Sequence, residues 1–207
     1  MPKIVFAAIS PHPPIILPTV GSQEDRGKVK KTTENLEFLG EKLKKINPDK
    51  IIISSPHPDW GFKVPLFFLA KNFKGEIEQI LIGLESPQFY FEKGEKVGAV
   101  KCTNKIALIA SGDLSHCLKE DGPYGLHSDG PKFDKDLIES LKKKDIEKIL
   151  RLDELYPEAG ECGLRSFCFL LGILETHSAS SGQVWQPEIL SYEGPFGVGY
   201  LVANFKL

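Results

Sequence analysis

Three short apolar runs punctuate the chain, and each leads into a serine. Residues 3–9 (KIVFAAI) stop at Ser10-Pro11. Residues 50–54 (KIIIS) stop at Ser55-Pro56, and residues 105–110 (KIALIA) at Ser111-Gly112-Asp113. Apolar runs of this length, bounded by turn residues, predict buried strands. Between them the period changes. Over 24–46, Val29, Leu36, Leu39, Leu43 and Ile46 recur at helical spacing with lysines on the opposite face, and Asn47-Pro48 ends the pattern. Residues 64–70 (VPLFFLA) and 76–83 (EIEQILIG) predict two further strands, and 86–100 a helix. Residues 133–143 and 145–151 predict two helices split at Asp145, a residue suited to an N-cap. Residues 160–175 predict a largely buried helix. Residues 187–193 and 197–205 predict a closing hairpin across Gly194-Pro195-Phe196-Gly197.

Apolar strands alternating with amphipathic helices specify an α/β fold: a mostly parallel or mixed central sheet flanked by helices. No linker or low-complexity tract divides the 207 residues, so 1–207 reads as one domain. The Gly/Pro-rich stretch 121–131 (DGPYGLHSDGP) is a loop within it. The formal net charge of −2 argues against a general nucleic-acid or anionic-membrane binder, since both need a basic face. Only Arg26, Arg151 and Arg165 among the 26 basic residues can form the bidentate fork suited to phosphate. No apolar run is long enough to span a membrane. The opening MPKIVFAAISPHPP is too short in its apolar part for a signal peptide. Cys102, Cys117, Cys162 and Cys168 form no CxxC pair. A cytoplasmic protein with reduced thiols is therefore expected.

The strand ends carry the chemistry. Residues 9–14 read ISPHPP and 53–58 read ISSPHP, each placing a histidine two residues past a strand-ending serine. His116 follows the third strand in Ser111-Gly112-Asp113-Leu114-Ser115-His116. In an open α/β sheet, ligands bind outside the carboxyl ends of the strands. If the three strands run parallel, His12, His57 and His116 meet on one edge. The flanking prolines stiffen the first two loops, as metal ligands require. A lone loop histidine is ordinarily a surface or capping residue, but the repeated pattern favours function here. His127, in the Gly/Pro loop, suits either a substrate-side or a surface role, and His177, in a Ser-rich turn, is expected at the surface. Two imidazoles and one carboxylate make the facial site of non-haem Fe(II) enzymes. Asp59, Asp113, Glu158 and Glu161 are the candidate carboxylates. The segment Pro157–Gly163 (PEAGECG) carries two of them at the start of an apolar helix, where an acidic residue also suits the helix dipole. Spacing alone does not separate Glu158 from Glu161.

These motifs together (SPHPP, SPHPDW, SGDLSH, DGPYG, PKFD, EAGECGLRSF and SYEGPFGVGYLVA) resemble the LigB-type class III extradiol ring-cleavage dioxygenases. The likeness is to the small branch found in AmmeMemoRadiSam systems. The resemblance implies ferrous iron held by His12, His57 and Glu161, with His116 as the acid/base and Glu158 outside the ligand set. Memo-like relatives are also similar, and in that branch a cysteine replaces the carboxylate. Cys162 adjoins Glu161, although a buried structural cysteine is its ordinary role. The implied substrates are a small aromatic diol and O₂. His116, with an ordinary pKa near 6.5, can take and return a proton at neutral pH. Asp113 can orient His116 or cap its turn, and Arg165 can hold a substrate carboxylate or serve as an ion-pair partner.

Two other readings compete. The same ligands could hold zinc and activate water, as in metal-dependent hydrolases. A Memo-like protein would instead bind metal in a redox-regulatory role without turning over a diol. The sequence leaves a homo-oligomer open, and it does not separate a ring-binding from a packing role for Trp60, Phe62, Phe67, Tyr124 and Phe196.

Overall fold

The structure, a computed structural model, describes residues 3–100 and 103–207, so Cys102 lies outside it. Strands β1 (Lys3–Ser10), β2 (Lys50–Ser55), β3 (Glu76–Leu81), β4 (Lys105–Ser111), β5 (Gln186–Glu193) and β6 (Tyr200–Lys206) form one sheet in the order β3-β2-β4-β1-β6-β5. The first four are mutually parallel. β6 runs antiparallel to β1 and to β5. The mixed α/β sheet expected from the sequence is present, and the hairpin closes it as an antiparallel edge.

The helices are α1 (Gln23–Lys28), α2 (Lys30–Ile46), α3 (Trp60–Leu69), α4 (Pro87–Gly98), α5 (Asp129–Lys143), α6 (Ile146–Ile149), α7 (Leu152–Leu155) and α8 (Leu164–Ser181). α2 buries Leu36, Leu39 and Leu43 together with α3 on one face of the sheet, against Phe6, Ala8, Ile51, Ile53, Ala107 and Ile109. α5 and α8 bury Phe133, Leu137, Phe167 and Leu171 on the other face, against Ile9, Ile52, Leu108 and Ala110. Covering both faces lets the central strands be apolar on both sides, which is the pattern at 50–54 and 105–110. The single helix expected over 24–46 is divided at Val29. A capping box of Ser22 and Asp25 starts α1. Asn47 takes a left-handed conformation and ends α2, as the Asn-Pro pair indicates. Asp145 caps α6 through the Lys148 N–H, and α7 is a short helix that the periodicity does not announce.

One expectation fails outright. Residues 64–70 are not a strand: 64–69 are the second half of α3 and Ala70 is its C-cap. A short apolar run fits a buried strand and a buried helix equally, and Pro65 weighs against a regular interior helix. The fold resolves this with the Gly61 carbonyl, the partner that Pro65 cannot serve. It accepts the Ser111 hydroxyl instead, at 2.5 Å. That substitution links α3 to the end of β4.

The parallel register brings the strand ends level. Ser10 pairs with Ser111, and Ser54 pairs with Ala110, one step before it. The loops that carry His12, His57 and His116 therefore leave the sheet at one edge. No helix among the described residues is long and apolar enough to cross a membrane.

Candidate metal centre

The three loops converge with the N-terminal end of α8. His12, His57 and Cys162 each offer a ligand atom, and these atoms lie within 4.8 Å of one another. His12 Nε2 is 3.5 Å from Cys162 Sγ. The rings of His12 and His57 meet edge to face at 5.1 Å between centroids. Asp113, His116 and Cys162 form a second group on the same spacing, so Cys162 belongs to both.

Local sequence accounts for each placement. The His57 N–H donates to Ser55 Oγ at 3.2 Å, closing the turn out of β2. Gly61 is required beside it, since a Cβ there would lie 2.0 Å from Ser55 Oγ. The His12 N–H donates to Asp113 Oδ1 at 3.0 Å, tying the β1 loop to the β4 loop. Gly163 N–H donates to the Asp113 carbonyl at 3.0 Å. The Asp113 N–H faces Cys162 Sγ at 3.3 Å. The two loops come this close because both carry glycine at the crossing. A Cβ on Gly112 would sit 2.2 Å from the Gly163 Cα.

The hydrogen-bond network assigns the tautomer of His12. Ser111 Oγ gives its proton to the Gly61 carbonyl, so it can only accept from His12 Nδ1, 2.9 Å away. Nδ1 therefore carries the hydrogen, and Nε2 presents a lone pair toward Cys162 and His57. A ring nitrogen held by a second hydrogen bond in this way is the usual arrangement of a metal-binding imidazole. Burial, helped by the nearby His57, pushes the His12 pKa down to about 3, so the ring is neutral at working pH.

The other groups are also shaped by burial. It raises the Cys162 thiol well above its ordinary range, with Asp113 adding to the effect. It raises Asp113 to about 6, against the opposing pull of the His12 N–H, His116 and His57. It lowers His116, which Asp113 partly restores. His116 Nε2 is buried and has no hydrogen-bond partner among the described residues. A neutral imidazole with its lone pair inward, a buried thiol, a buried carboxyl and an unsatisfied ring nitrogen are the donor set that a cation would complete. The residues fit a metal ion.

Other sequence candidates lie elsewhere. Glu161 is not in either group. Its Oε2 accepts the Leu164 N–H at 2.7 Å and its Oε1 accepts from Arg165 Nη1 at 3.2 Å. This is the helix-start role, and burial holds its carboxyl up at about 7. Arg165 is spent on Glu161, on Asp153 at 3.1 Å and on the Glu85 carbonyl at 2.6 Å, which leaves it structural. Glu158 is exposed. His127 is largely exposed and accepts the Asp129 N–H at the start of α5. Asp113 holds the His12 backbone and, among the described residues, makes no hydrogen bond to the His116 ring. His177, expected at the surface, is buried in α8.

Of the aromatic residues, Phe62 is packed in the core and Phe67 lies in a groove between α2 and α3. Phe196 packs beneath Lys28. Trp60 and Tyr124 differ. Each ring lies against a site histidine, Trp60 at 5.2 Å from His57 and Tyr124 at 5.0 Å from His116, and both remain exposed.

Sequence reasoning misses Ser111 and the crossing of Gly112 with Gly163 as parts of the site. The only signal for Ser111 is its place at a strand end.

Residues 55–203 match the family model described as the catalytic LigB subunit of aromatic ring-opening dioxygenase. That segment includes His57, His116 and Cys162 but begins after His12. Protein CA_C1420 of Clostridium acetobutylicum is 33% identical over 95% of this chain. The chain spans 56% of that relative's length. An uncharacterized protein, JW3007 of Escherichia coli K12, has a crystal structure that superimposes with a TM-score of 0.62 at 14% identity, covering 96% of this chain and 98% of that one. That likeness concerns the fold alone.

Proposed function

Because the chain belongs to the family of the catalytic LigB subunit of aromatic ring-opening dioxygenases, we propose that it is a metal-dependent dioxygenase-type protein that acts on a small aromatic diol with O₂. His12 Nε2, His57 and Cys162 Sγ would hold one ion, ferrous iron, and His116 would carry protons beside it. The observation that carries this reading is the meeting of His12, His57 and Cys162 within 4.8 Å, beside a His116 ring nitrogen with no other partner among the described residues.

A bound ferrous ion would supply the Lewis acidity that makes a diol acidic and a path by which the diol's own electrons reach O₂. The protein's own groups do the rest. Ser111 keeps the Nε2 lone pair of His12 inward. His116 would accept a proton from a diol hydroxyl at Nε2 and return it to the product. Asp113 favours the protonated ring by its charge, while burial favours the neutral ring. Burial outweighs the charge, so the His116 pKa lies below its ordinary value. The exposed faces of Trp60 and Tyr124 offer stacking surfaces to a planar ring entering beside His57 and His116.

Cys162 supports a second reading. A thiolate in place of a carboxylate is softer and suits zinc or copper as well as iron. It favours the Memo-like role, metal binding with redox regulation and no ring opening.

The test is protein loaded with ferrous iron without oxygen and then given O₂ with a panel of catechols. O₂ uptake and ring-opened product support the dioxygenase. One tightly held iron with no O₂ uptake favours the redox-regulatory reading. Failure to retain iron, zinc or copper overturns both.

A further inference from the structure

β3 ends the sheet, and its outer side has no partner strand among the described residues. The pleat decides which of its backbone groups are bare. The Ile82 N–H donates to the Ser55 carbonyl of β2 at 2.9 Å. Successive residues of a strand turn to alternate sides, so Glu76, Glu78 and Ile80 also bond toward β2. Ile77, Gln79 and Leu81 turn their N–H and C=O groups outward. Such an edge is a template for another strand.

The devices that usually blunt an edge are missing from this one. β3 runs six residues without lysine or proline, in unbroken register with β2. Its carboxylates, Glu76 and Glu78, are both held by Lys50 of β2, at 2.7 and 2.8 Å. The opposite edge, β5, differs: it carries Pro187 and an irregular register between Ile189 and Ser191.

We propose that β3 pairs with the β3 of a second copy of the chain, antiparallel, across a two-fold axis at Gln79. Residues exchange backbone hydrogen bonds across an antiparallel pair only where both turn outward. With the axis at Gln79, that residue faces its own copy and Ile77 faces Leu81 on either side. Every outward residue is then paired, and a shift along the strand leaves some unpaired. The side chains agree with this register. Ile77 and Leu81 are 38% and 54% exposed, and each covers the other across the axis. Glu78 faces Ile80 and Glu76 faces Ile82, so no carboxylate lies opposite another. The two-fold closes the contact, so it makes a dimer with one continuous sheet and not a filament.

Sedimentation equilibrium of the full chain over a range of concentrations tests this. Wild type is expected to dimerise reversibly. Gln79→Lys sets two ammonium groups face to face on the axis and is expected to weaken the dimer roughly tenfold or more. Leu81→Lys, with the same expectation, serves if Gln79→Lys fails to fold as judged by circular dichroism. Cysteine crosslinking then reads the register, with wild type under the same mild oxidation as the blank. Gln79→Cys is expected to crosslink, since Cα atoms paired there lie about 5.5 Å apart. Glu76→Cys is not, since its copies would lie roughly 20 Å apart. A monomer at every concentration overturns the proposal. So does a dimer equally tight in the lysine variants, which would place the contact on another face. Crosslinking of Glu76→Cys, or none of Gln79→Cys beyond the blank, overturns the pairing at Gln79.

Discussion

The Gly61 carbonyl accepts its hydrogen bond from the Ser111 hydroxyl and not from residue 65, four positions on, because residue 65 is proline. A defect in one helix thus sets the direction of a hydroxyl at the end of a strand. The hydroxyl sets the tautomer of His12, and the tautomer points a lone pair at Cys162.

Ser111→Ala breaks this chain at its middle. His12 Nδ1 loses its fixed partner, and the ring becomes free to choose the other tautomer. Metal affinity is expected to fall on the order of 10- to 100-fold, the usual effect of removing a group that orients a ligand. Global stability should drop by about 1–3 kcal/mol, because the Gly61 carbonyl and His12 Nδ1 are left buried without that partner. Co²⁺ titration and urea unfolding on the same samples separate the two effects. Unchanged affinity would mean that the hydroxyl does not orient the ring.

Gly112 and Gly163 govern the other half of the centre. A Cβ on Gly112 meets the Gly163 backbone at 2.2 Å, and no side chain can yield there. Gly112→Ala must push the β4 loop and the start of α8 apart. The expected cost is about 1–3 kcal/mol, typical of overpacking. Cys162 should move away from His12 with it, weakening metal binding beyond the loss in stability. Gly125→Ala is the control for backbone strain without a clash: its φ is +74°, and a Cβ there meets nothing within 4 Å. It should lower stability while leaving Co²⁺ affinity unchanged. Equal affinity losses in the two variants would mean that the crossing does not position Cys162.

The strands and the three histidines are legible in the sequence because their signals are local. Each strand is a short apolar run with its own terminator, and each histidine sits at a fixed offset from the end of a strand. Parallel pairing then does the assembling. Residues 64–70 mislead because an apolar run of seven has no period strong enough to decide between strand and helix. The third member of the cluster around His12 and His57 is illegible for a different reason. Glu161 and Cys162 are neighbours in sequence and point to different places. Which one faces the histidines depends on the crossing of Gly112 with Gly163, distant segments of the chain, and on Arg165 claiming the carboxylate. No spacing rule contains that information.

Glu161→Gln and Cys162→Ser should accordingly behave in opposite ways. Glu161→Gln leaves Arg165 without one of its buried partners. It should cost about 1 kcal/mol in stability, since Arg165 keeps Asp153 and the Glu85 carbonyl, while the sulfur-to-cobalt absorption of the Co²⁺-loaded protein and the binding stoichiometry persist. Cys162→Ser should leave stability within about 1 kcal/mol and abolish the sulfur-to-cobalt absorption. If Glu161→Gln alone loses the metal, the carboxylate is the ligand in solution and Cys162 is not.

Asp134 makes stability depend on pH in a direction opposite to that of a surface carboxylate. It is buried in α5, accepts the Ser115 N–H at 2.8 Å and the Tyr192 hydroxyl at 2.5 Å, and so anchors the loop leading to His116. Burial raises its pKa to about 7 from an ordinary 3.8. Between those values the folded chain holds a proton that the unfolded chain has released. Stability from this group is therefore fully present below about pH 4 and is lost as pH rises through about 7. His12 works in the other sense: with its folded pKa near 3, it removes stability as pH falls below about 6.5. The total profile mixes the two, so the informative quantity is the difference between Asp134→Asn and wild type. Asn keeps the shape and an acceptor for Ser115 but cannot ionise. The variant should be no more stable than wild type at pH 4 and should gain on it by a few kcal/mol by pH 7.5. The upper bound is about 1.4 kcal/mol for each tenfold weakening of the acid on folding. Urea unfolding at a series of pH values measures this difference directly. A constant difference across the range would show that Asp134 is ionised in the folded protein, with the Ser115 and Tyr192 donors outweighing its burial.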